Sequence, residues 1–298
     1  MLKPQHIDFG RGTALWQEGL GNGPKLHFSA ANGFPLQSYN FFLTHFAAHF
    51  QLIGLENRGM WGSSVPPRGF SWRQHAEDLI AFLDYQNTIF NTGPIIAMGH
   101  SIGATVTALA AERRPDLFKA LLMFDPAAIP GRILPTVAAF APSQLMGQLN
   151  LVKRTRGRRL YWDSPQSFID YHRHKPAYRR FTEQALSDYA QAALIAQGVG
   201  KFKLAYSRDW EAHNFQHTYS PWQALRHIQV PTLILRAEHS YLHKAADFQR
   251  NTRRLPAEVS CATITGAGHM VLQEDPEQIV QHSFDWLQGH GLMKAAKQ

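Results

Sequence analysis

Pro94-Ile95-Ile96-Ala97-Met98-Gly99-His100-Ser101-Ile102-Gly103-Ala104-Thr105-Val106-Thr107-Ala108-Leu109-Ala110-Ala111 is the stretch that decides the fold. Its first five residues form a short apolar run of the kind that fills a buried parallel strand. From Ile102 the residues suit a helix, which runs to Arg113 and is stopped by Pro115. Between strand and helix lies Gly99-His100-Ser101-Ile102-Gly103, a small-x-Ser-x-small pentapeptide. A serine there sits on a tight turn that lifts its hydroxyl above the sheet and aims the helix N-terminus at it. Glycines flank it because larger side chains would clash. The same letters also fit an ordinary glycine turn with a capping serine, so the surroundings must decide.

Working outward, residues 25–30 and 51–55 read as strands, and 37–50 as a helix through Phe41, Phe42, Phe46 and Ala47. Residues 6–9 and 14–18 suit a hairpin, and Ser71 suits the cap of a helix that reaches Phe90. Residues 120–124 are a sixth strand. The texture then changes. Residues 130–225 hold scattered prolines, clustered aromatics and helical runs such as 182–196, with no convincing strand. Alternation resumes with a strand at 231–235, a helix at 243–254, a strand at 259–264 and a helix at 276–288. Strands separated by helices are the pattern of a mostly parallel sheet flanked by helices. The fold class is therefore α/β, a single domain over residues 1–298 with a helical cap, 130–225, inserted after the sixth strand.

Of the 298 residues, 44% are hydrophobic and 17% charged, which excludes a disordered tail. No apolar run approaches the roughly 18 residues of a membrane span, and residues 1–10 lack the apolar centre of a secretory signal. A soluble, cytoplasmic protein is expected. Cys261 is the single cysteine, so no disulfide or cysteine-based metal cluster forms within one chain. The net charge of +8 is local: residues 151–180 hold nine basic and two acidic side chains, and the rest of the chain is nearly neutral. A solvated surface explains such a stretch; attraction of anionic substrates is the sharper option. No nucleic acid or membrane partner is expected.

Acyl transfer by a serine needs a neutral imidazole to take its proton. His269, in Gly266-Ala267-Gly268-His269-Met270 after the last strand, is placed to reach over the sheet edge. A carbonyl under attack also needs two N–H donors. The Ile102 amide, at the start of the helix, is one candidate. The Phe34 amide, in Ala31-Asn32-Gly33-Phe34-Pro35, is the other, although that sequence is also a plain turn.

These residues resemble the α/β-hydrolase superfamily over about 25–288: the Asn32-Gly33-Phe34-Pro35 turn, the stretch from Glu56 to Ser63, the elbow at Ser101 and the late Gly268-His269. The resemblance implies the order nucleophile, acid, histidine, with a helical cap after the sixth strand. Two departures are Asn32, where many members carry histidine, and Glu56, where many carry aspartate. Members usually place the acid in the loop that here reads Arg236-Ala237-Glu238-His239-Ser240, with Ser240 at the aspartate's position. Some place it after the preceding strand, where Asp125 stands. Asp125 and Glu238 both remain candidates, and Asp125 could alternatively cap the first turn of the insertion.

His213 and His217 share a helix face but lack a carboxylate to complete a metal set, and there is no nucleotide or dinucleotide loop. No metal and no cofactor are expected. The expected activity is serine hydrolysis of a carboxylic ester or related acyl bond: Ser101 as nucleophile, His269 as base, Asp125 or Glu238 as acid, and Phe34 and Ile102 as oxyanion donors. The partner is then a small acyl substrate, with an anionic one as an option. Two other readings are hydrolysis of a carbon–carbon bond in a diketone, by a similar triad, and a ligand-binding module that has lost its acid.

Overall fold

Alternate side chains of the apolar runs fill two opposite faces of one sheet in the computed structural model, which describes residues 2–8, 10, 12–19, 21–62, 65–128 and 150–293. The strands are β1 (Lys3–Asp8), β2 (Thr13–Gly19), β3 (Lys25–Ser29), β4 (Gln51–Leu55), β5 (Ile95–His100), β6 (Phe118–Phe124), β10 (Thr232–His239) and β11 (Val259–Gly268), arranged β1-β2-β4-β3-β5-β6-β10-β11. β1 and β2 form the expected antiparallel hairpin, and β2 also pairs antiparallel with β4. Every pairing from β4 to β11 is parallel.

The period of two is visible in the core. Ile96 and Met98 face one side with Leu122, Phe124, Leu233 and Leu235; Ile95 and Ala97 face the other with Leu121, Met123 and Ile234. Burying both faces explains why these strands are continuous apolar runs. The Ile102–Arg113 helix and the Trp72–Phe90 helix cover the second face; the latter begins at a capping box in which Ser71 and Gln74 exchange hydrogen bonds.

Two expected elements differ. Residues 37–50 do not form one helix but short turns, Leu36–Tyr39, Asn40–Leu43 and Thr44–Phe46. Tyr39, Phe42, Leu43, Phe46 and Phe50 are all buried, and tighter turns spread those side chains over a wider angle than one helical stripe. The insertion is not wholly helical. β7 (Tyr161–Trp162), β8 (Leu194–Gly198) and β9 (Lys201–Leu204) make a separate antiparallel sheet, β7-β9-β8, so the run at 182–196 is a helix only over Glu183–Ala193. Residues 130–149 of the expected cap lie outside the described residues. The rest of the insertion packs Trp162, Phe168, Phe181, Leu186 and Tyr189 into the first core face.

The loops that follow β3, β5, β6, β10 and β11 leave the carboxyl ends of parallel strands, where ligand crevices form in such sheets.

Candidate active site

Ser101 joins β5 to the Ile102–Arg113 helix with φ 56° and ψ −120°, a conformation L side chains rarely adopt. The geometry is fixed by its backbone. Ser101 N–H donates to Phe124 O at 3.1 Å, and its carbonyl accepts from Ala127 at 2.9 Å and Thr105 at 3.2 Å. The flanking glycines are sterically required. A Cβ on Gly99 would stand 2.6 Å from Ala104 N, and one on Gly103 would stand 2.2 Å from Ser29 O.

His269 Nε2 lies 3.0 Å from Ser101 Oγ, and His269 Nδ1 lies 2.6 Å from Asp125 Oδ2. A carboxylate only accepts, so Nδ1 carries the ring proton and Nε2 offers its lone pair to the serine hydroxyl. Asp125, at φ 40° just past β6, is fully buried. Its Oδ1 accepts the Ala237 N–H at 3.0 Å, and its Oδ2 also accepts the Ser240 hydroxyl at 2.6 Å. Burial alone would raise its pKa, but the His269 ring, His243 and the Ser240 hydroxyl together hold it below the ordinary carboxylate value. Ser240, where the resemblance leads one to expect an acid, donates instead to a carboxylate that arrives from the neighbouring strand.

Glu238 is not part of this contact. Its carboxylate accepts the Gly266 N–H at 2.7 Å and braces the loop that leads to His269. On the other side of that loop, Glu274 accepts the Gly268 N–H at 2.8 Å and pairs with Arg180 at 2.9 Å, while Arg180 also reaches Gly266 O.

The turn after β3 is held from the insertion. Asn32 Nδ2 donates to Glu211 O at 2.9 Å, Asn32 Oδ1 accepts from Asn214 at 3.0 Å, and Phe34 stacks on Tyr189 with centroids 4.4 Å apart. Gly33 has φ 80°, and a Cβ there would meet the Glu211 carboxylate at 2.8 Å. The Ile102 amide opens its helix and so has no intrahelical acceptor. The Phe34 amide is not open as expected: it donates to Ala31 O, though at a long 3.2 Å.

Part of the basic stretch is offset by carboxylates: Arg159 pairs with Asp163, Arg173 with Glu183 and Arg180 with Glu274. Arg158 is the inward-facing one. Its guanidinium lies 2.5 Å from Glu211 and donates to Tyr189 Oη at 2.9 Å. Burial opposes its charge, but Tyr189, Glu211 and Tyr178 hold the guanidinium protonated. His213 and His217 stack at 4.0 Å, with ring nitrogens bonded to Phe70 O and His213 O.

Sequence reasoning assigns no role to Asn214 or to Tyr241, whose exposed ring stands edge-on 4.9 Å from the His269 imidazole, and reads Arg158 only as part of the basic stretch. Spacing carries no signal for any of them. The serine at position 240 is the readable hint that favours Asp125 over the loop after β10.

The model of the alpha/beta hydrolase family matches residues 26–282. A 2-(acetamidomethylene)succinate hydrolase of Mesorhizobium japonicum is 27% identical over 279 residues, covering 92% of this chain and 91% of that protein. Among solved structures, an E-2-(acetamidomethylene)succinate hydrolase gives a TM-score of 0.77 at 22% identity, covering 97% of this chain and 100% of that one. An N-formylmaleamic acid deformylase from Pseudomonas putida S16 gives 0.68 at 16% identity, covering 94% and 99%.

Proposed function

The chain belongs to the alpha/beta hydrolase family and is a hydrolase, and from that premise we propose that it works through Ser101, His269 and Asp125 on a small acyl substrate. The observation that carries this reading is the continuous contact from Asp125 Oδ2 through the imidazole to Ser101 Oγ, at 2.6 and 3.0 Å.

In this mechanism Nε2 of His269 accepts the hydroxyl proton as Ser101 Oγ attacks the carbonyl carbon. The imidazolium formed is stabilised by the buried Asp125 carboxylate. The oxyanion takes the Ile102 N–H and draws the Phe34 N–H away from its long bond to Ala31 O, because a charged acceptor forms the stronger bond. The tetrahedral intermediate collapses as Nε2–H protonates the leaving group, giving an acyl-enzyme. Water then gives a proton to the same nitrogen as it attacks the acyl carbon, and Nε2–H returns that proton to Ser101 Oγ as the acid is released. An ester, an amide or an acyl carbon–carbon bond can enter this sequence, and they differ in how much protonation the leaving group needs.

One observation favours a substrate with a carboxylate: the substrates named for the two similar proteins, a succinate and a maleamic acid, are themselves carboxylic acids.

Labelling with a fluorophosphonate tests the nucleophile. Wild type is expected to label on Ser101 and S101A not at all; an unlabelled wild type overturns the reading. A panel of aryl esters and amides with neutral and anionic acyl groups then ranks the bond and the charge.

A further inference from the structure

His100 has no task in the scheme above, yet it is fully buried and both its ring nitrogens are partnered. Nε2 lies 2.9 Å from the carbonyl oxygen of His269, and Nδ1 lies 2.9 Å from the Tyr39 hydroxyl. A carbonyl can only accept, so Nε2 carries the proton. Burial, with the neighbouring His269, pushes the ring's pKa down to about 3, so the second proton is absent and Nδ1 accepts from Tyr39 O–H. The Tyr39 oxygen in turn accepts the Ala31 N–H at 3.2 Å.

Every proton in this run is thereby assigned. Ala31 N–H donates to Tyr39, Tyr39 O–H donates to His100, and His100 Nε2–H donates to the His269 carbonyl. The run begins at the residue that opens the Asn32-Gly33-Phe34 turn, passes through the residue that precedes Ser101, and ends on the backbone of the imidazole-bearing residue. The Tyr39 ring packs against Phe28 at 4.8 Å and Phe34 at 6.2 Å. Two polar side chains are costly to bury unless their bonds are satisfied, and simple packing would be met as well by hydrocarbon.

We propose that His100 and Tyr39 are positioning residues that hold the nucleophile, the base and the oxyanion turn in mutual register through this run of hydrogen bonds. The proposal rests on the Ser101–His269 reading. Its physical content is that Ser101, His269 and Phe34 come from three loops with no covalent link nearby, and a misplacement of about 1 Å at a reacting group costs about 100-fold in rate.

Y39F keeps the ring and deletes the hydroxyl, leaving Ala31 N–H and His100 Nδ1 without partners. H100F deletes both ring nitrogens. H100Q offers an acceptor and a donor spaced much as the two nitrogens are. Each is measured for kcat and KM on an aryl ester that wild type hydrolyses, for rate of fluorophosphonate labelling, and for the downfield proton resonance of the His269–Asp125 bond, with thermal melts alongside. Y39F is expected to lose about 10-fold in kcat and in labelling rate with KM little changed, and to shift the downfield resonance. H100F is expected to lose more, and H100Q to recover most of the rate. Y39F carries the test if H100F does not fold. A labelled wild type with Y39F at the same kcat and the same resonance overturns the proposal alone, as does an H100Q no faster than H100F. A wild type that does not label at Ser101 overturns the serine reading and this proposal with it.

Discussion

Asp125 receives three hydrogen bonds, one of them from the imidazole, whereas Glu238 receives the Gly266 amide and leaves 44% of its side chain exposed. Their substitutions should therefore separate cleanly. D125N removes the acceptor that fixes the His269 tautomer, and kcat on the best ester of the panel is expected to fall by about 10⁴-fold. E238Q keeps an oxygen for Gly266 and is expected to change stability by less than about 0.5 kcal/mol, with kcat near wild type; steady-state kinetics on the two variants checks both. The sequence left these carboxylates as alternatives because both end or follow a strand at the same sheet edge, and no spacing tells which one leans toward the imidazole. In three dimensions the Ser240 hydroxyl donates to Asp125, and it is Asp125 that the imidazole contacts.

The elbow is the element that one-dimensional reading describes best. An apolar strand, a serine between small residues and a clean helix are all local, and their geometry follows from sterics within a few residues. G103A is expected to destabilise by about 3 kcal/mol, since its methyl meets the Ser29 carbonyl at the end of β3 rather than a flexible side chain. A lower urea midpoint together with slower labelling of Ser101 checks it. Elements whose form depends on distant partners were not legible. The three turns between Leu36 and Phe46 carry apolar residues at nearly helical spacing, and only their burial on several sides divides them. β8 and β9 escaped notice because Leu194–Gly198 is mostly exposed and lacks the alternation that marks a half-buried strand.

Across the whole molecule, buried ionisable groups brace the insertion and the turn, Arg158 with Glu211 inside the insertion and Glu56 beside the turn. Arg158 and Glu211 pair at 2.5 Å with side chains only 18% and 9% exposed. R158M leaves the Glu211 carboxylate unpaired and is expected to cost about 3–5 kcal/mol, while R158M/E211M recovers most of that loss; urea unfolding of the two variants checks it. Glu56 accepts the Leu36 N–H just beyond the turn, and burial pushes its pKa up to about 7 against hydrogen bonds from Leu36 and Gln17. A folded-state pKa above the unfolded one means that the folded protein binds more protons between about 4.5 and 7. Stability should fall as pH rises through that window, by on the order of 3 kcal/mol, and remain lower above it. E56Q should flatten the slope in a series of unfolding curves over the same range. The parallel sheet and the interruption after its sixth strand could be read from alternation alone, but the ties between insertion and turn could not, since they join residues nearly two hundred positions apart. Those ties make Asn32, Gly33 and Phe34 as much a part of the insertion as of the sheet, through Glu211, Asn214 and Tyr189. The natural unit for transplanting specificity between related enzymes is thus discontinuous: a chimera that exchanges residues 150–225 must carry residues 31–34 with them, or the donor's roof will rest on a foreign doorstep.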